Sequence, residues 1–259
     1  MQKLTVIKIG GNVVDNEIML KQLLQDFAKI EGHKILVHGG GKIATELSKT
    51  LGIATQMIEG RRVTDAESLK VATMVYAGLI NKNIVAKLQA EKSNAIGLCG
   101  ADANILSAVK RSATPIDYGF VGDTDGSKLN LECLKLLLEQ NLVPVFSAIT
   151  HDGAGQLLNT NADTIASTIA TGMAQEYDVT LYYCFEKKGV LSDVNNENSV
   201  IADINETSYL ELKSKKVITE GMIPKLDNAF KALNSGVKSV VIGNADGIKQ
   251  LENGTVIQL

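Results

Sequence analysis

Short apolar and β-branched runs alternate with longer stretches of helical periodicity along nearly the whole chain, and no other feature restricts the fold as strongly. The runs lie at Leu4 to Ile9, Lys34 to His38, Asn94 to Leu98, Leu142 to Ser147, Val179 to Cys184 and Ser239 to Ile242. Strand, helix, strand in sequence predicts a mainly parallel α/β sheet covered on both faces, because parallel neighbours need a crossover between them. Glu17 to Ile30 and Lys42 to Leu51 read as helices, and Leu69, Ala72, Tyr76, Ile80, Ile84 and Leu88 recur at three- and four-residue spacing along a third. These stripes are core. Asn161 to Met173 predicts a further helix, with Asn161 and Asp163 where capping residues belong. Asp117, Gly119, Gly122 and Gly126 punctuate the stretch around Ile105 to Asp125, which predicts a hairpin lid outside the parallel core.

At 259 residues the chain can form one large or two modest domains around a substantial core. No linker rich in Pro, Gly or Ser and no repeat marks a boundary, so the expectation is two lobes, 1–174 and 175–259, sharing one sheet. Lys and Arg total 26 against 29 Asp and Glu, a net charge of −3, so no global positive field draws in nucleic acid or an anionic membrane. No basic stripe interleaved with aromatics is present either. Any anionic ligand must be held by local chemistry. Cys99, Cys133 and Cys184 are an odd number, far apart and without CxxC spacing, which suggests neither a disulfide framework nor a thiolate zinc site and favours a reducing cytoplasm. His33, His38 and His151 share no metal-ligand spacing, so no metal site is expected. No run matches a membrane span of ~20 apolar residues or a signal-peptide core.

Two glycine turns invite a phosphate. Lys8-Ile9-Gly10-Gly11 ends the first strand before a helix, where bare amides can face an anion. Lys8 lies inside an apolar run, where an ammonium is costly unless it meets opposite charge. The second strand ends in His38-Gly39-Gly40-Gly41 at the same end of the sheet, where ligands of open α/β sheets bind. Neither turn matches GxGxxG, and GxxxxGK[ST] is absent. Gly60-Arg61-Arg62-Val63-Thr64 offers a guanidinium for a carboxylate. Polar side chains from Gln156 to Asp163 gather at the start of an apolar helix, and Asp163 is placed to turn toward lysines. In Gly221-Met222-Ile223-Pro224-Lys225, Pro224 suits a first helical turn from which Lys225 projects.

In this order and spacing the five motifs resemble the amino acid kinase family over nearly the whole chain. The resemblance implies a three-layer αβα sandwich around a sheet of about eight strands, with 1–174 taking the acyl amino acid and dimer contacts and 175–259 taking ATP. It implies transfer of the γ-phosphoryl of MgATP to the side-chain carboxylate of N-acetyl-L-glutamate, giving an acyl phosphate in the second step of arginine biosynthesis. By resemblance Lys8 and Lys225 stabilise the transferring phosphoryl, Asp163 orients both, and Gly11, Gly40 and Gly41 supply amide donors. Gly40, Gly41, Arg62, Asn159 and Asn161 then belong to the acyl amino acid site. Gly10, Gly11, Glu186, Gly189, Val190, Leu191, Val217, Ile218 and Thr219 belong to the nucleotide site. Magnesium arrives on ATP, keeping its waters and phosphate ligands. The chemistry fits this inventory: a glutamate carboxylate with a pKa near 4.3 is already ionised, so the demand is for aimed positive charge rather than a general base.

One segment departs from the family. Where relatives carry Ser or Thr followed by Asp, this chain has Phe185 and Glu186 in the run Tyr182 to Leu191, which weakens the transfer of the adenine and ribose contacts. A first strand near Leu4 leaves no room for the N-terminal helix of arginine-inhibited hexamers, so the expectation is an arginine-insensitive homodimer in the cytoplasm. Alternatives are a sibling kinase acting on aspartate, glutamate, carbamate or UMP, the same reaction on N-succinyl-L-glutamate, and a non-catalytic binding module.

Overall fold

A computed structural model describes residues 1–58, 61–218, 222–251 and 253–259, the side chains of Arg61 and Pro224 excepted. The chain opens with β1 (Gln2–Ile9), α1 (Gly11–Val14), α2 (Glu17–Ala28), β2 (His33–His38) and α3 (Gly41–Thr50). Next come β3 (Gln56–Ile58), β4 (Arg61–Val63), α4 (Ala66–Thr73), α5 (Asn81–Ala90), β5 (Ala95–Leu98), β6 (Val109–Lys110) and β7 (Val121–Asp123). They are followed by α6 (Leu131–Glu139), β8 (Val143–Phe146), β9 (Ile149–His151), β10 (Leu157–Thr160), α7 (Ala162–Met173) and β11 (Tyr177–Cys184). The last are β12 (Asp203–Ile204), α8 (Glu206–Ser214), α9 (Ile223–Asn234), β13 (Ser239–Gly243) and β14 (Thr255–Ile257).

Eight strands form the central sheet in the order β12-β14-β13-β11-β1-β2-β8-β5. All neighbours pair parallel except β13 and β14. The four strands after residue 174 make one half and the four before it the other, so β1 and β11 meet at the middle. Burial explains the continuous apolar runs: Leu4, Val6, Ile7 and Ile9 of β1 are all inaccessible to solvent, as a strand covered by helices on both faces requires. Among the described residues no helix is long and apolar enough to cross a membrane.

The stripe from Leu69 to Leu88 runs through α4, a π-helical segment Met74–Ile80, and α5, and all six of its residues are buried. Four-residue steps overshoot an α-helical turn by roughly 40° each, so the stripe would wind off the core. Widening the middle to i→i+5 bonding keeps Tyr76 and Ile80 facing inward.

Residues 105–125 lie outside the central sheet, as expected, but are built into a second sheet. β6 and β7 do form a hairpin, but β7 also pairs with β10, and β9 completes a four-stranded sheet. Gly122 permits this closure, since a Cβ there would lie 2.6 Å from Thr160 Oγ1. The polar run before Asp163 is likewise strand β10 rather than helix start, which buries Leu158 and Thr160 and leaves Asn159 on the opposite face.

Candidate active site

Parallel register brings the turns together. Ile9 pairs with Cys184 on one side and His38 on the other, so three adjacent strands end at one level. Phe185, Gly10 and Gly39 therefore leave the sheet side by side, at the edge where strand order reverses about β1. Lys42 Nζ, following the second glycine turn, donates to Asn12 Oδ1 after the first at 2.9 Å, clasping the two. Gly40 must stay bare, because a Cβ there would come 2.1 Å from Ile80 Cδ1 and 3.2 Å from Tyr76 Cδ1. The π-helical segment thus presses directly on the turn. No side chain caps α3, so its first amides remain open to an anion.

On the β11 side, Lys8 is nearly buried and its Nζ stands 2.9 Å from Asp163 Oδ1. Asp163 occupies the first turn of α7, whose N-cap Asn161 accepts from the Asp163 and Thr164 amides. Lys225 enters from the first turn of α9, a helix with proline at its start. A cleft of about 410 Å³ opens beside them, walled by Gly10, Gly11, Phe185, Glu186, Gly189 and Lys225, with Met222 and Ile242 supplying apolar surface. Burial and the nearby Lys8 charge hold the Lys225 pKa below its ordinary value, while Asp163 and Glu186 pull it back up.

On the β2 side, Arg62 donates to Gly41 O at 3.0 Å, Thr45 Oγ1 at 2.6 Å and Thr55 Oγ1 at 3.3 Å, all neutral oxygens. Its positive charge is left uncompensated by these bonds. Asn159 of β10 donates to Thr64 Oγ1 at 3.0 Å, which joins the Arg62 and Asn159 motifs.

The structure does not bring every expected residue to the cleft. Val190 and Leu191 are buried, with the Val190 amide donating to Thr255 Oγ1, and Ile218 is also buried while Val217 is half-buried; none of the four walls the cleft. Thr219, Gly60 and Gly221 lie outside the described residues. Asn161 faces its own helix as a cap. Sequence reasoning missed the Asn12–Lys42 clasp and the wall formed by Met222; a polar residue directly after each glycine turn was the available signal for the first.

His38 adds a constraint of its own. It is fully buried, with Nδ1 2.9 Å from Gly39 O and Nε2 3.1 Å from Asn81 Nδ2. Asn81 Nδ2 also donates to Val145 O while its Oδ1 accepts from Lys82, so the amide cannot turn its oxygen toward the ring. The imidazole must donate from Nδ1 and accept at Nε2, which is the neutral form. Burial, with the Lys82 charge adding to it, pushes the His38 pKa down to about 4 from 6.5. Because the folded value is depressed, the unfolded chain takes up a proton first as pH falls through the ordinary histidine range. Stability is therefore expected to drop by about 2 kcal/mol between about pH 7 and about pH 5 from this group. Urea unfolding at both values checks it, and His38→Gln should remove this part of the dependence; an unchanged slope in that variant would assign it to other groups.

Fold and site define an α/β protein in which lysines and open backbone amides gather at the carboxyl edge of one central sheet. The amino acid kinase family matches residues 3–244, and the chain belongs to that family. It is 57% identical to the acetylglutamate kinase of Cytophaga hutchinsonii over 259 residues, covering 99% of this chain and 97% of that one. Identity to the acetylglutamate kinase of Phocaeicola vulgatus is 55%, covering 99% of each chain, and to that of Methanopyrus kandleri 37%, covering 98% and 99%. Among solved structures, smu.665 from Streptococcus mutans matches with a TM-score of 0.78 at 29% identity over 98% of each chain. N-acetylglutamate synthase from Neisseria gonorrhoeae, at 19% identity and a TM-score of 0.82, shares the fold; this chain is covered completely and that one over 59%.

Proposed function

We propose that the chain transfers the γ-phosphoryl of MgATP to the γ-carboxylate of N-acetyl-L-glutamate, giving N-acetyl-L-glutamyl 5-phosphate. The observation that carries the reading is the convergence of Lys8, Asp163 and Lys225 beside an open cleft, in a chain 57% identical to an acetylglutamate kinase. The acceptor carboxylate is ionised at neutral pH, so no base has to remove a proton before attack. What opposes reaction is the meeting of two anions and the charge that spreads over the equatorial oxygens. Lys8 and Lys225 offset that charge, and Asp163 keeps the Lys8 ammonium in place before substrates arrive. The amides of Gly10 and Gly11 receive the nucleotide phosphates, and magnesium comes with ATP, held by phosphate oxygens and water.

In this reading residues 175–259 bind the nucleotide through the cleft wall of Glu186 and Gly189. Residues 1–174 bind the acyl amino acid, with Arg62 on its α-carboxylate, Asn159 beside it, and Gly40 and Gly41 donating amides. The protein works as a homodimer in the cytoplasm; three free cysteines fit a reducing compartment, and exposed Met74 and Leu79 offer an apolar face for a second copy. The test is ADP release with MgATP and a panel of N-acetyl-L-glutamate, N-succinyl-L-glutamate, L-glutamate, L-aspartate and carbamate, with hydroxylamine trapping of acyl phosphate. Turnover of N-acetyl-L-glutamate with trapped hydroxamate is expected. Turnover of the succinyl compound alone would keep the reaction and replace the acyl group, and no turnover of any by folded protein would overturn the reading.

A further inference from the structure

Strand alternation puts Tyr183 and Phe185 on one face of the β11 end, and register sets Lys8 beside Tyr183. The two rings stack with centroids 6.0 Å apart and planes 18° from parallel. Lys225 Nζ stands 3.7 Å from the Phe185 centroid, the shortest cation–aromatic contact among the described residues, and Lys8 Nζ lies 5.2 Å from the same centroid. Two ammonium groups thus converge on one ring, with Asp163 ion-paired to Lys8.

That arrangement solves a problem the chemistry sets. A second carboxylate bonded to Lys225 would hold it well, but would also repel the incoming phosphates and occupy the N–H groups they need. A ring face attracts a cation through its quadrupole while carrying no net charge and taking no strong hydrogen bond. We propose that Phe185 is a positioning residue for phosphoryl transfer, its ring face holding the Lys225 ammonium beside Lys8 and aimed into the cleft. The inference rests on the phosphoryl-transfer reading above. Lys225 is faced by Lys8 from β1, Asp163 from α7 and Glu186 from the end of β11. Lys8 and burial favour its neutral amine; the two carboxylates and the ring favour the ammonium.

Phe185→Leu keeps apolar bulk and removes the ring face; Phe185→Tyr keeps the face. The leucine variant is expected to lose about tenfold in kcat with both KM values within about twofold, and the alkaline limb of its pH profile should move down by about one unit. The tyrosine variant should restore both. A readout independent of activity is the NMR titration of the lysine side-chain carbons in ligand-free protein, with the Lys225 signal assigned by its loss in Lys225→Arg. Its midpoint should fall by about one unit in the leucine variant and stay at the wild-type value in the tyrosine variant. A leucine variant whose Lys225 midpoint and alkaline limb match wild type, whatever its activity or melting temperature, would reduce Phe185 to packing and overturn the proposal. Wild-type protein that forms no acyl phosphate, while its Lys225 midpoint still responds to Phe185, would instead overturn the transfer reading and leave the ring's hold on Lys225 standing.

Discussion

Lys8→Ala is expected to lower kcat by about two to three orders of magnitude while both KM values stay within a few-fold, the pattern of an interaction made mainly in the transition state. The reason is preorganisation. The Lys8 side chain is only 10% exposed and is paired at 2.9 Å with Asp163, so its ammonium is already fixed when the phosphoryl group begins to move. Solvent has little left to rearrange at that moment. Asp163→Ala should give a loss of similar size, because it frees Lys8 to turn away and leaves a nearly buried cation without its partner. Since the two act as a unit, the double variant should be little worse than either single one. Steady-state kinetics of the three variants decides the matter. A Lys8→Ala enzyme with wild-type kcat would remove Lys8 from the transfer step, and strict additivity would separate Asp163 from it.

Arg62→Ala is expected to raise the KM for the acyl amino acid by about 100-fold and to leave the KM for ATP nearly unchanged. The guanidinium is held by the Gly41 carbonyl and the Thr45 and Thr55 hydroxyls, so it is aimed without being neutralised. Arg62→Lys should recover little, because an ammonium supplies one point charge where a planar fork can grip a carboxylate through two parallel bonds. Initial-rate kinetics with each substrate varied in turn checks both expectations. A defect confined to ATP would mean that the two substrates sit the other way round on the sheet edge.

Much of the fold was legible in the chain because its physical cause is local. Six strands of the parallel core announce themselves as mostly apolar runs without polar alternation, since a strand buried on both faces has no polar side to show. Lys8 stood out for the same reason: an ammonium in such a run demands a nearby anion, and Asp163 is the anion it meets. Other readings failed where the cause was distant. The run from Gln156 to Asp163 looked like polar side chains gathered at the start of a helix, and only pairing with β7 and β9 makes its Leu157–Thr160 part a strand. In the stretch from Ile105 to Asp125 the hairpin outside the parallel core was legible because it is local, whereas its parallel pairing to β10 joins residues far apart in sequence and was not. The repeated four-residue spacing of Ala72, Tyr76, Ile80, Ile84 and Leu88 was visible, but the π-helical segment that reconciles it with a single buried face was not.

The candidate site divides in the same way. Motif order pointed to lysines, an arginine and bare amides at the carboxyl ends of strands as the groups suited to anions, because those are properties of residue type and of strand-to-helix turns. Register and packing alone decided which of them meet. Ile9, His38 and Cys184 end at one level, Lys42 reaches Asn12, and Asn81 locks His38 neutral beneath the glycine turn. Phe185 shows the division most sharply: in sequence it is a departure from a familiar pattern, and in the folded protein its ring lies 3.7 Å from the Lys225 ammonium. No sequence spacing could show that contact, because its two partners are brought together by the crossover from β11 to α9, and a cation–aromatic attraction depends on distance and angle rather than on order along the chain.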